Sequence, residues 1–444
     1  MRSALPQCQP TQLPACGSPD RWGWLQQLRN QPELDPEPWL LALENGSLSI
    51  ASDLLAVLAE RLDPLAQRRL LRWWRQQPDP DPGLPSQVLR QRDGASAVWL
   101  LQQLAPGPAA LSSALPQAVA LALLPLLGHQ RQVAAWPVLL SWMRAPIATP
   151  LRRAALEGVA RGLSVWPRSR LVAGLSALAG DLDPQLAAPA VDLLARLPGA
   201  RRALVPLRRC GLDPRVAERL GRRLAATPAQ PLLLVVHGRA GGQLPAELVA
   251  LAAELECRRG APVRLQALSA AAPPAASELL QPGQVLGLVP LLLLPGGHVR
   301  HDLPAIVRHW SAFARVQHWP FLGAWPRWQA ALARELAGLA MQDALPLLLH
   351  HPLEGPLAAR YLTTLERRTG AHCIATPYSA EHLAELKLTL AAPALAAPAL
   401  AAPALPLALA ANRLTDQLAE QVGPPLLQRP GLRQLLLAEL EALP

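Results

Sequence analysis

Two histidines stand out by type and position. His237 closes the apolar run PLLLVVH at 231–237, and His298 closes the turn of VPLLLLPGGH at 289–298. Neutral imidazole is both a ligand for borderline metals and a base near neutral pH, so two imidazoles at one place can hold a metal ion and take up protons. The pattern puts them at one place. Both apolar runs read as buried parallel strands, and the loops beyond the carboxyl ends of such strands line the ligand crevice of an open sheet. Gly238 beside the first histidine, and Gly296 and Gly297 before the second, leave the backbone open to close approach by a ligand, so these three read as substrate-binding positions. A single histidine at a strand end is more often a hydrogen-bonded structural residue; two at the same expected rim favour function.

The elements that must position them begin at Thr227, where the sequence pattern changes. Strands are expected near 231–236, 262–268 and 285–294, alternating with helices near 244–259, 274–281 and 303–316, which predicts an open parallel sheet. After a helix near 326–341 the cycle restarts. ALPLLLHH at 344–351 echoes PLLLVVH, AHCIATPYS supplies another strand, and ALPLALAANRLTDQL at 404–418 echoes VPLLLLPGGHVRHDL. Two α/β lobes are therefore expected, 227–341 and 342–444. The second reads as a degenerate copy, with His350 and His351 at the place of His237 and Asn412 at the place of His298; His351 is an outside candidate for the site. A low-complexity AAPAL insert at 391–405 reads as a surface excursion rather than a strand.

Residues 18–226 read as an α-helical repeat domain, a HEAT-like solenoid, behind a disordered leader at 1–17. The tripeptide Leu-Asp-Pro recurs at 34–36, 62–64, 182–184 and 212–214, each time before an amphipathic run. Asp accepts a backbone N–H as a helix cap and Pro suits the first helical position, so each marks a helix start.

Composition limits the function classes. Apolar residues make up 51% of the 444-residue chain, which suits folded domains. Five dispersed cysteines form no CxxC pair, which points to a reducing, cytoplasmic setting. The uncharged stretches 94–130 and 388–411 are broken by prolines, so no membrane span is expected. Of the net charge of +10, the segment Arg131 to Arg223 holds 16 Arg against 6 acids, a difference of +10. An acidic protein partner would meet the chain there, although Arg on solvated helix faces is the plainer reading. No motif specific for nucleic acid accompanies it. HGRAGG is neither GxGxxG nor GxxxxGK[ST], so a nucleotide-driven enzyme is not expected, and no serine or cysteine stands in a nucleophile-elbow context.

PLLLVVHG, followed by VPLLLLPGGHVRHDLPAIV, resembles the sirohydrochlorin cobalt- and ferrochelatases, the class II chelatases; PFLGAWPRW at 320–328 is similar to the segment that follows in that family. The clear resemblance covers about 231–340. It implies an α/β chelatase fold, no nucleotide, no tightly bound cofactor, and a histidine pair, His237 and His298, that binds the divalent metal substrate (Co2+ or Fe2+) and assists deprotonation of the tetrapyrrole. Asp302 would be a helix N-cap rather than a catalytic group. The sequence departs from the family at Arg239, where a serine usually stands, and at Ser269 and Ala272, where glutamates are usual. The function expected is metal insertion into sirohydrochlorin or a related tetrapyrrole; the alternative is a non-catalytic tetrapyrrole- or metal-binding protein whose helical domain docks a partner. His301 could add a ligand, but an exposed histidine at a helix start is at least as ordinary. Trp310, Trp319, Trp325 and Trp328 could stack on a macrocycle, but at these spacings core packing is the better reading.

Overall fold

A computed structural model describes residues 8–444 apart from 32–33, 49–50, 90–92, 112–115, 145, 271, 340–344, 378 and 397–402. It divides into two compact units: residues 1–197 with 207–221, and residues 198–206 with 222–444.

The first unit is helical: α1 Asp20–Asn30, α2 Glu37–Glu44, α3 Ser52–Arg61, α4 Pro64–Arg75, α5 Leu84–Val88, α6 Gly94–Leu104, α7 Gln117–His129, α8 Ala135–Met143, α9 Thr149–Arg161, α10 Arg168–Ala179 and α11 Pro184–Ala195. Helices pack on the next and on the next but one, as α1 on α3, α2 on α4, α7 on α9 and α9 on α11. Stacking of this kind buries one apolar stripe per helix. The Leu-Asp-Pro signals mark helix starts. Asp63 accepts from the N–H groups of Leu65 and Ala66 at 2.7 and 2.9 Å, and Asp183 accepts from Gln185 at 2.9 Å. Before α2 the helix cap falls on Pro36, one residue later than the tripeptide suggests, yet Asp35 still accepts from Glu37. The α7–α9 crossing is backbone against backbone: a Cβ on Gly128 would lie 1.8 Å from the Gly158 carbonyl oxygen, so only glycine fits. Two prolines in these helices do not break them, since Pro125 lies within α7 and Pro189 within α11. Of the segment 1–17, residues 1–7 lie outside the described residues. The remainder is held by contacts: a 3-10 turn at Pro10–Gln12, a bond from the Cys8 N–H to Gln31 Oε1, and one from Arg21 to the Pro14 carbonyl.

The second unit opens with the short α12 Arg201–Leu204; α13 Pro214–Ala225 leads into the sheet region. The first lobe then runs β1 Leu232–Val236, α14 Ala246–Arg259, β2 Val263–Ala267, β3 Val285–Pro290, α15 Leu303–Ser311, β4 Arg315–His318 and α16 Pro326–Leu339. Its four strands are parallel in the order β2-β1-β3-β4. Every residue of β1 is buried, as a central strand covered on both faces requires.

Two expectations are corrected in this lobe. The helix expected at 274–281 is only a 3-10 turn, Ala276–Glu278, followed at once by Pro282 and by Gly283 at φ +80°, through which a helix cannot run. The helix expected to reach residue 316 ends at Ser311, and Arg315–His318 is an edge strand pairing with β3. Ala314 prolongs the helical spacing of Val307 and Trp310, which lie in the true helix, and so hides where that helix ends.

The second lobe holds β5 Leu347–His350, α17 Pro356–Thr369, β6 His372–Ala375, α18 Ala380–Ala396 and β7 Ala404–Pro406, with parallel strands in the order β6-β5-β7. The AAPAL insert is not wholly a surface excursion. Residues 391–396 continue α18, residues 397–402 lie outside the described residues, and Ala404 and Leu405 are buried in β7. After α19 Arg413–Gln417 and α20 Ala419–Val422, the final helix α21 Pro430–Glu441 packs on α14 and α16 of the first lobe. Arg259 fixes it there, donating to the carbonyls of Leu440, Glu441, Leu443, Pro444 and Gln230. One apolar core runs through both lobes, from Leu232 and Leu234 through Trp328 to Leu348, Leu405 and Leu440.

Candidate site at the carboxyl rim of the first sheet

In the order β2-β1-β3, the chain leaves β1 toward one side to reach β2, and returns to form β3 on the other. Adjacent strands whose connections diverge leave a crevice at their carboxyl ends. His237 directly follows β1 and His298 lies on the loop beyond β3, so the topology sets both imidazoles at this crevice. Their ring centroids are 4.9 Å apart, edge to face, and both residues are exposed.

Local structure fixes each ring. At β1 the chain turns sharply: Gly238 has φ +73°, and a Cβ there would lie 2.7 Å from that of Ala267 and 3.0 Å from Ser269 Oγ. Glycine at 238 is thus demanded by the turn itself. Gly296 and Gly297 differ. Neither has a positive φ; a Cβ on Gly296 would reach only Leu353, at 3.4 Å, and one on Gly297 would meet nothing within 4 Å. These two glycines leave open space beside His298.

After Gly297 the chain makes one π-helical turn, His298–Asp302, with the Leu303 N–H bonded to the His298 carbonyl. Such turns are frequent at functional sites. The turn carries Asp302 Oδ2 to 2.5 Å from His298 Nδ1. The expectation that Asp302 caps the helix is overturned, since no backbone N–H of α15 bonds its side chain. Its carboxylate orients an imidazole instead. The carboxylate accepts, so Nδ1 carries the hydrogen and Nε2 of His298 keeps its lone pair. His237 follows the same pattern: Nδ1 lies 3.1 Å from the Gly238 carbonyl oxygen, which can only accept, and Nε2 is again left as the acceptor.

The remaining rim residues are placed as follows. Ser269 donates to the Arg239 carbonyl at 2.8 Å and touches the His237 carbonyl at 3.4 Å, bracing the β1 loop. Arg239 reaches Asp416 Oδ2 of α19 at 3.4 Å, a contact between the lobes that the sequence did not announce. Leu353, from the second lobe, lies against Gly296. His301 is exposed on the π turn, and among the described residues no group of three or more His, Cys, Asp or Glu side chains is placed to hold a metal ion. The site is a histidine pair with one carboxylate behind it.

His350 and His351 do not join that pair. His350 is buried at the end of β5, its Nδ1 2.8 Å from the His351 carbonyl oxygen, and burial holds its imidazole below the usual histidine range. His351 is exposed, with Nδ1 3.1 Å from the Pro352 carbonyl oxygen. The tryptophans belong to the core: Trp310, Trp325 and Trp328 are buried and Trp319 is half-buried against it. The Nε1–H of Trp310 donates to Gln266, and that of Trp325 to the Pro320 carbonyl. No described helix is long and apolar enough to cross a membrane.

The family model CbiX, sirohydrochlorin chelatase-like, matches residues 231–338, the stretch that runs from β1 into α16 and contains both histidines and Asp302. No curated protein matches the chain. Among solved structures the chain is similar to LpoA of Haemophilus influenzae, at 14% identity over 94% of this chain and 90% of that chain, with a TM-score of 0.26. So low a score carries no argument about fold or function.

Proposed function

We propose, from the match of residues 231–338 to the CbiX family model, that this unit inserts a divalent metal, cobalt or iron, into sirohydrochlorin or a related tetrapyrrole without a nucleotide. The observation that carries this reading is the pair of imidazoles 4.9 Å apart at the switch of strand order, each with Nε2 left as an acceptor. Insertion breaks two pyrrole N–H bonds and forms bonds from the ring nitrogens to the metal, so two protons leave for each metal that enters. Two Nε2 lone pairs suit both halves of that exchange. They bind the incoming ion with only two ligands, few enough for it to be passed on, and they accept protons before passing them to solvent. Asp302 holds His298 in the useful tautomer, as carboxylates hydrogen-bonded to the far nitrogen of metal-binding histidines do. The open backbone at Gly296 and Gly297 leaves room for the edge of a planar macrocycle.

The test is a metal-insertion assay with sirohydrochlorin and Co(II) or Fe(II) on the full chain and on His237→Ala and His298→Ala. Loss of the rate in both variants supports the reading. A wild-type rate equal to background would sink it.

One observation favours a second reading, a tetrapyrrole- or metal-binding protein without turnover. Ser269 stands where the family usually carries a glutamate and spends its hydroxyl on the β1 loop, and Ala272 offers no donor. Tight binding in a spectral titration, with no metal incorporated, would select it. In either case we read the first unit as a HEAT-like repeat for partner docking, a role the stacked packing of α7, α9 and α11 suits.

A further inference from the structure

The helical unit contains a groove that the chelatase reading does not use. It lies between α8 and α10, has a volume of about 590 Å3, and has Arg152 of α9 and Asp181 completing its lining. Its apolar surface comes from Trp136, Leu140 and Met143 on α8 and from Ala173, Ala177 and Leu178 on α10. The α10 side is a run of small residues; at Gly174 even a Cβ would lie 3.2 Å from the Trp136 ring, so this backbone sits down on the indole and leaves a trough beside it.

The charges of this groove are sorted. Arg152 is buried and committed, donating to the Met143 carbonyl at 2.9 Å and paired with Asp181. Arg144 and Arg170 line the same groove, are exposed, and among the described residues have no side-chain hydrogen bond or ion pair. Residues 131–197 of this unit hold 8 Arg against 4 acids, so no surplus of local carboxylates is at hand to neutralise them.

We propose that this groove binds an amphipathic acidic helix of a partner protein, with apolar side chains in the trough and carboxylates on Arg144 and Arg170. Charge complementarity and shape argue for that occupant. A helix laid in an apolar groove is recognised through residues spaced at i, i+3, i+4 and i+7, and α8, of nine residues, offers a trough about 14 Å long at 1.5 Å per residue, which spans between two and three turns of such a guest. Paired guanidinium and carboxylate groups at the edge then fix its direction. Nucleic acid fits less well: Trp136, the one aromatic ring in the lining, is 2% exposed and has no free face for a base.

The experiment selects the occupant's chemistry directly. A display library of random peptides about 16 residues long, roughly four helical turns, is panned against the full chain. The expected binders are acidic, with apolar residues at helical spacing, and their affinity falls as salt is raised. Arg144→Glu combined with Arg170→Glu should weaken them at least tenfold, and peptides with Lys in place of Glu should then bind the double variant better than the wild type, which shows that the groove is intact. Ala177→Trp, which fills the trough, should weaken binding with the melting temperature unchanged. Enrichment of basic or neutral peptides, binding indifferent to these variants, or no enrichment at all overturns the proposal. So does a single-stranded oligonucleotide or a long-chain fatty acid whose binding, rather than that of the acidic peptides, depends on Arg144 and Arg170.

Discussion

The two α/β lobes share a strand order and part company over what their strand ends do. In β2-β1-β3 and in β6-β5-β7 the first strand lies between the other two, so each lobe has a crevice where its connections diverge. At the first, His237 and His298 are exposed, and the helix-start carboxylate of Asp302 is given to His298 rather than to the backbone. At the second, His350 is buried and Asn412 caps α19: its side chain accepts from the Thr415 N–H at 3.1 Å, while the Thr415 hydroxyl oxygen accepts from the Asn412 N–H at 2.9 Å. The second lobe spends His350 and Asn412 on its own fold, whereas the first leaves two imidazoles exposed with a carboxylate behind one of them. Topology offers a crevice to both; under the proposed reading, the assignment of side-chain hydrogen bonds decides which one does chemistry.

The largest expected effect tests that division. His298→Ala should lower kcat/KM for metal insertion by roughly 10²- to 10⁴-fold, the range for losing a positioned acid–base group, and His237→Ala should do the same. Asn412→Ala should leave the rate within about twofold while destabilising the fold by about 1 kcal/mol, the cost of a lost cap. Steady-state kinetics and chemical denaturation on the same preparations separate the two. An activity loss at Asn412 matching that at His298 would erase the distinction between the lobes.

Asp302→Asn comes next. An amide can still occupy the place of the carboxylate, but it can donate to Nδ1 and so release the ring from its tautomer. A loss of roughly 10- to 100-fold in turnover is expected, typical of removing a carboxylate that orients a metal-binding imidazole. If Asp302 were only structural, the variant would change the melting temperature and leave kcat alone.

How much of this was legible follows from what each signal depends on. The strand ends and both histidines could be read because buried parallel strands are continuous apolar runs bounded by turn formers, a local property. The Leu-Asp-Pro helix starts were equally local. The role of Asp302 was misread because a carboxylate just before Leu303-Pro304 is the ordinary mark of a cap, and only the π turn, a conformation without a sequence signature, rotates it onto His298. The edge strand Arg315–His318 was hidden for a different reason: an edge strand with exposed Arg315 and His318 lacks the apolar run that marks a central one. The Arg239–Asp416 contact joins residues 177 apart in the chain, beyond the reach of any local pattern.

His350 gives a smaller effect, readable as a pH dependence. Burial lowers its folded pKa below the unfolded value near 6.5. Above that value both states are neutral and the full stability is present. As pH falls through it the unfolded chain takes up a proton that the folded one refuses, so stability declines toward the folded pKa, by at most about 1.4 kcal/mol per pH unit. His129, half-buried in the helical unit, is shifted in the same direction by burial and adds to the decline. His350→Gln should therefore flatten, without abolishing, the fall in melting temperature between pH 7 and 5. A variant as steep as the wild type would show that the second-lobe histidine is not held neutral.

The smallest effect belongs to the Arg239–Asp416 pair, the point where the two lobes meet across the rim. Both side chains are about half exposed, at 44% and 51%, and the 3.4 Å contact is long, so the pair should contribute no more than about 0.5 kcal/mol and fade with salt. Arg239→Ser and Asp416→Asn should then shift the denaturation midpoint by equal small amounts, and the double variant by no more than either one. Because Arg239 follows the turn at Gly238 rather than the imidazole pair itself, kcat should stay within about threefold of the wild type in each. A double-mutant cycle at low and high salt measures the coupling. A coupling above 1 kcal/mol, or a loss of turnover in Asp416→Asn comparable to that in Asp302→Asn, would mean that the second lobe supplies a working part of the site, and the contrast between the lobes would have to be redrawn with Asp416 on the first lobe's side.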